Sequence, residues 1–161
     1  MEHFELKGPV FREFTIHIFQ SISALQNLSE IDIDEVESRK ISLPFTKPGF
    51  KKTIIFDLDE TLAHCVRKEN PLRPPDVHLD IKLMSGQNLR AGFNIRPYTR
   101  ECLEMVNKHF EVVVFTASHK WYADCILDYI DPEHKLIQHR LYRDHCIKSN
   151  DNVYIKDLRV F

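Results

Sequence analysis

The chain has 161 residues, 43% of them apolar, and a net charge of −2. That suits one domain with a real core plus an extension, and it lacks the basic footprint of a nucleic-acid binder. No apolar run reaches membrane-spanning length, the N-terminus lacks the basic-then-apolar plan of a signal peptide, and the four cysteines include no C-x-x-C pair, as expected of reduced thiols in the nucleus or cytoplasm.

Residues 1–28 carry Val10, Phe11, Phe14, Ile18, Ile22 and Leu25 at roughly helical period, with Pro9 suited to the first turn. The expectation is a helix packed on its own domain, with a partner-binding helix as the alternative. The acidic run Ser29–Glu35 reads as a solvated linker, and Pro44, Pro48 and Gly49 then punctuate the chain. Residues 1–50 are thus a helical extension and linker, and 51–161 the main domain.

Ile54-Ile55-Phe56 is too short for a helix and reads as a strand buried on both faces, as in parallel sheets. It ends in Asp57 and Asp59, one residue apart, at the strand end where open α/β sheets place ligands. In a phosphate site one carboxylate can attack phosphorus and share a Mg²⁺, and the other can protonate the leaving oxygen. A calcium loop fails, because Leu62 and Lys68 stand where Gly and Glu are needed. A sugar-transferase D-x-D lacks any nucleotide-binding pattern upstream.

Asn70–Pro75 holds three prolines and reads as an irregular loop. Leu79, Ile81 and Leu83 alternate with His78, Asp80 and Lys82, and after Ser85-Gly86-Gln87 the phase resumes at Leu89, Ala91, Phe93 and Ile95. This predicts an antiparallel hairpin, which either covers the carboxylates or merely extends the sheet. Arg96-Pro97 opens a helix with Cys102, Leu103, Val106 and Phe110 inward. Glu111–Thr116 is a second buried strand, ending in the hydroxyls of Thr116 and Ser118. A helix over Lys120–Ile130 stops at Asp131-Pro132, and 136–142 reads as another strand. His139, His145 and Cys146 fit no usual zinc spacing.

The string Asp57-Leu58-Asp59-Glu60-Thr61-Leu62-Ala63-His64 resembles the first motif of the haloacid dehalogenase superfamily, and within it the RNA polymerase C-terminal-domain phosphatases and their small relatives. Val114–Ser118 resembles the second motif, Arg140-Leu141-Tyr142-Arg143 the R-L-[FY]-R element, and Tyr154–Leu158 the third motif. The resemblance implies an α/β fold of that superfamily: a Rossmann-like parallel sheet with a β-hairpin insertion after the first strand. It implies Mg²⁺-dependent hydrolysis of protein phosphoserine or phosphothreonine. Asp57 would be the nucleophile and Asp59 the acid–base. Thr116 and Lys156 would stabilise the phosphoryl group, and Ser118, Tyr122 and Arg143 would line the substrate pocket. Asp57 and the Asp59 carbonyl would hold the metal. Nothing after Asp157 matches the fourth motif. Residues 1–161 alone are therefore expected to hydrolyse phosphoesters weakly or not at all, and the bare edge of the first strand invites self-association. The second reading is a catalytically impaired phosphopeptide-binding or scaffold module.

Overall fold

The computed structural model describes residues 9–26, 30–50, 52–66, 72, 74–149 and 153–161. In chain order its elements are α1 (Pro9–Gln26), α2 (Ile33–Ser38), β1 (Thr53–Phe56), β2 (Ala63–Val66), β3 (Val77–Lys82), β4 (Asn88–Ile95), α3 (Thr99–Val106), β5 (Glu111–Phe115), α4 (Lys120–Ile130), β6 (His139–Leu141), β7 (Ile147–Lys148) and β8 (Tyr154–Ile155). The fold is α/β. Strands β1, β5 and β6 form a parallel sheet in that order, with Ile54 opposite Val112 and Val114 opposite Arg140.

The β-branched run Val112-Val113-Val114 gives β5 no polar face, so it takes the middle of the sheet and is buried throughout. Val112 and Val114 join Leu58, Phe93, Leu103, Ile126 and Leu127 in the main core, which α3, α4 and the insertion enclose. Val113 and Phe115 point to the opposite face, where they meet Leu141 and Cys146.

The expected hairpin is β3–β4, turning at Gly86, whose φ of 83° suits a residue without a Cβ. It is larger than the sequence suggests. Strand β2 pairs with β4, Cys65 opposite Phe93, to give a three-stranded antiparallel sheet β2-β4-β3. The insertion therefore begins directly behind the Asp57–Thr61 loop. In the proline loop over 70–75, residues 70, 71 and 73 lie outside the described residues.

Three other expectations are revised. The acidic linker is instead the short helix α2, capped by the Asp32 carboxylate on the Asp34 amide at 3.0 Å, with Val36 buried against Ile147 and Val160. From it residues 39–47 run as a strap. The Arg39 guanidinium donates to the Cys146 carbonyl at 3.0 Å, the Ile41 amide to the Val160 carbonyl at 2.7 Å, and the Thr46 amide to Glu111 at 2.8 Å. Second, the strand expected over 136–142 shrinks to β6. The amides of Lys135, Leu136 and Ile137 instead turn around the buried Asp131 carboxylate at 2.9–3.0 Å. Third, α3 starts at Thr99, after Tyr98 in a left-handed conformation.

Helix α1 begins at Pro9 as read. The side chains of Val10, Phe11, Phe14 and Leu25 lie outside the described ones. Ile16, Ile18, Phe19 and Ile22 are exposed, so packing on the chain's own domain does not extend to them.

Candidate active site

Leu58 explains the spacing of the two carboxylates. Its side chain is 0% exposed and sits in the main core, so the aspartates on either side of it are turned out of the core at the carboxyl end of β1. The backbone then curls tightly: the Leu58 carbonyl accepts from the amides of Thr61, Leu62 and Ala63 at 2.9–3.2 Å. Glu60 takes a left-handed φ of 60°, a sparsely populated conformation for a residue with a Cβ that persists only when its surroundings impose it. Arg96 imposes it. Its guanidinium donates to the carbonyl oxygens of Thr61 and, at 2.8 Å, Glu60, and its own amide donates to the Leu62 carbonyl at 2.9 Å.

The seven residues singled out from the sequence line one cleft of about 780 Å³, together with Glu60, His64, Cys65 and Ala117. Asp57 Oδ1 accepts the Leu58 amide at 2.9 Å and pairs with Lys156 Nζ at 2.6 Å. Both groups are about one-third exposed, so water screens the pair. Asp59 is held differently. Its Oδ2 accepts the hydroxyls of Ser118 at 2.7 Å and Thr116 at 3.1 Å, and its Oδ1 accepts Tyr122 OH at 3.1 Å. Burial and then the Asp59 charge push the Tyr122 hydroxyl well above the ordinary phenol range, so it stays protonated and donates. The Thr116 hydroxyl in turn accepts the Ser118 amide at 3.0 Å.

Arg143 closes one end of the cleft. Its Nε donates to the Ala117 carbonyl at 2.7 Å and its guanidinium carbon lies 4.7 Å from the centre of the Tyr154 ring. Sequence reasoning passed over Arg96 except as a helix opener, and over the pair of Glu60 and His64, whose Oε1 and Nδ1 stand 2.6 Å apart. Their i, i+4 spacing was the available signal.

Among the described residues no group of three His, Cys, Asp or Glu side chains gathers as a metal cage. Two oxygens suit a hard cation that keeps most of its waters. Asp57 Oδ2 has only a 3.5 Å contact to the Thr61 hydroxyl, and the Asp59 carbonyl accepts no hydrogen bond from a described residue.

Residues 52–161 match the family model of the NLI interacting factor-like phosphatases. The chain belongs to that family. It is 36% identical over 145 residues to CTD small phosphatase-like protein 3 of Caenorhabditis elegans, covering 88% of this chain and 48% of that protein. It is 45% identical over 108 residues to the phosphatase PSR1 of Saccharomyces cerevisiae, covering 67% and 24% of the two. It is 34% identical over 116 residues to CTD nuclear envelope phosphatase 1B of Danio rerio, covering 68% and 46%. The chain thus spans half or less of the length of these relatives. A solved structure of the fission yeast RNA polymerase II CTD phosphatase Fcp1 aligns with a TM-score of 0.48 and 22% identity, over 70% of this chain and 32% of that one. The family resemblance carried by Asp57–His64 and the two later motifs is borne out. Among the described residues no helix is long and apolar enough to cross a membrane.

Proposed function

We propose that this cleft hydrolyses phosphoserine or phosphothreonine esters in protein substrates, in the nucleus or cytoplasm, by way of an aspartyl phosphate. The observation that carries the reading is the Lys156–Asp57 pair at 2.6 Å beside an Asp59 carboxylate that accepts three hydroxyls. A carboxylate held by a cation and a backbone amide is aimed, as a nucleophile requires. Asp57 attacks phosphorus and the bond to the serine oxygen breaks. Asp59, which in the reacting form carries a proton so that one of its oxygens donates to the leaving group rather than accepting a hydroxyl, gives that proton to the serine oxygen. Asp59, now ionised, takes a proton from water, which attacks the same phosphorus and releases Asp57 and phosphate. Lys156 and the Thr116 hydroxyl offset charge on the transferring group. Mg²⁺, held by Asp57 and the Asp59 carbonyl, would add further charge neutralisation when bound.

Asp57→Asn tests this. The amide keeps the shape and removes the nucleophile, so trapping by beryllium fluoride, followed by ¹⁹F NMR, and turnover of an aryl phosphate should both vanish. Circular dichroism should be unchanged. Unchanged turnover would overturn the mechanism, and phosphopeptide binding without turnover by the unmutated chain would favour the binding-module reading.

A further inference from the structure

The residues between Ser118 and Tyr122 have no part in the mechanism above and do not line the cleft, yet they touch residues that do. His119 Nε2 lies 2.8 Å from Arg143 Nη1, and the His119 ring stacks on Trp121 with centroids 5.5 Å apart and planes 14° from parallel. Trp121 meets Tyr122 edge-on at 6.4 Å, and Tyr122 donates to Asp59. A chain of contacts therefore joins Arg143 at one end of the cleft to the acid–base at the other.

The guanidinium has five N–H donors in a fixed fork. One goes to the Ala117 carbonyl and one to His119, while Tyr154 covers its face. Neither Nη2 hydrogen, nor the second on Nη1, has a partner among the described residues. Because a guanidinium always donates, His119 Nε2 must be the acceptor, so its ring is the neutral tautomer protonated at Nδ1. An arginine fixed on three sides with three donors left over meets a planar or tetrahedral oxyanion without first losing side-chain freedom. Ordering one long side chain is a cost otherwise met on binding.

We propose that His119 is a positioning residue: it holds Arg143 ready for an oxyanion of the phosphopeptide, with Trp121 as its buttress. This rests on the phosphopeptide reading of the cleft. Its test is binding, so it is separate from the turnover and trapping that test Asp57.

Fluorescence anisotropy with a phosphoserine peptide, and with the same peptide unphosphorylated, gives the dissociation constants for the full chain. His119→Leu keeps bulk but removes the acceptor, and should weaken phosphopeptide binding about fivefold. His119→Gln restores an acceptor near the Nε2 position and should recover most of the loss. In an Arg143→Lys background His119→Leu should add little, since coupled residues are not additive. Circular dichroism and the urea midpoint show whether each variant folds. If His119→Leu binds as tightly as the unmutated chain, if His119→Gln is as weak as His119→Leu, or if the two losses simply multiply, His119 does not act through Arg143. An equal loss for the unphosphorylated peptide, or no phosphopeptide binding by the unmutated chain, would also overturn the proposal.

Discussion

The two faces of the parallel sheet are built to different standards. One face buries Val112 and Val114 under α3, α4 and the insertion, with Leu58, Phe93, Leu103, Ile126 and Leu127 all fully buried. Among the described residues, the other has only Val113, Phe115, Leu141 and Cys146 as buried members, with Ile41, Leu43, Ile55, Ala117 and Tyr154 partly covered around them. The strap 39–47 and the stretch from Cys146 onward supply that second cover. The carboxylates divide along the same line. Asp59 takes hydroxyls from the end of β5 and from α4, on the thick side. Asp57 takes Lys156, which follows β8 on the thin side. The proposed acid–base Asp59 is thus fixed by the well-packed face, and the counter-charge of the proposed nucleophile Asp57 comes from the sparse one.

Breaking the thick face should have the largest effect. Leu127→Ala removes a fully buried side chain from the main core, and large-to-small changes of this kind cost about 3–5 kcal/mol where the site cannot collapse. Urea unfolding would read the loss. A deficit below about 1 kcal/mol would mean that the core relaxes around the gap.

Ile41→Ala should cost less, about 1–2 kcal/mol, because its side chain is only partly buried although it touches both minor clusters. The sharper readout is local. Hydrogen exchange at the Ile41 and Thr46 amides should accelerate while the β5 amides stay protected. Equal acceleration in β5 would show that the two faces open as one unit.

The smallest effect is a pH dependence. Burial pushes the Glu111 carboxyl up, but the Thr46 amide and the His139 ring outweigh it and leave the group below its ordinary 4.5. A carboxyl with a depressed folded pKa adds stability above its unfolded value, and that stability is lost as pH falls through the folded one. The strap should therefore loosen only below about 4.5. Urea midpoints on either side of that value would show the fall, and Glu111→Gln should flatten it.

The contrast between faces also explains what could be read from the sequence. β5 and α4 were legible because their apolar residues repeat with the period of one element, and Asp131-Pro132 marks where α4 must stop. The position of Asp57 and Asp59 followed from a strand ending in charge. β2 was not legible, because Ala63-His64-Cys65-Val66 has no alternation of its own and becomes a strand only beside β4. Nor was the strap, whose Ile41 and Leu43 find partners more than 60 residues away. His119 carries no signal in the sequence, and only the return of Arg143 beside it gives its ring a task.

Leu58 sets a clock as well as a spacing. Because the residue between the carboxylates is locked in the main core, their separation is inherited from the packing rather than from the loop. Warming can fray α1 or loosen the strap without changing that separation. The register of the two carboxylates is therefore lost only when the core itself melts, and heat should abolish the proposed beryllium fluoride trapping and the near-ultraviolet signal of Trp121 at one temperature.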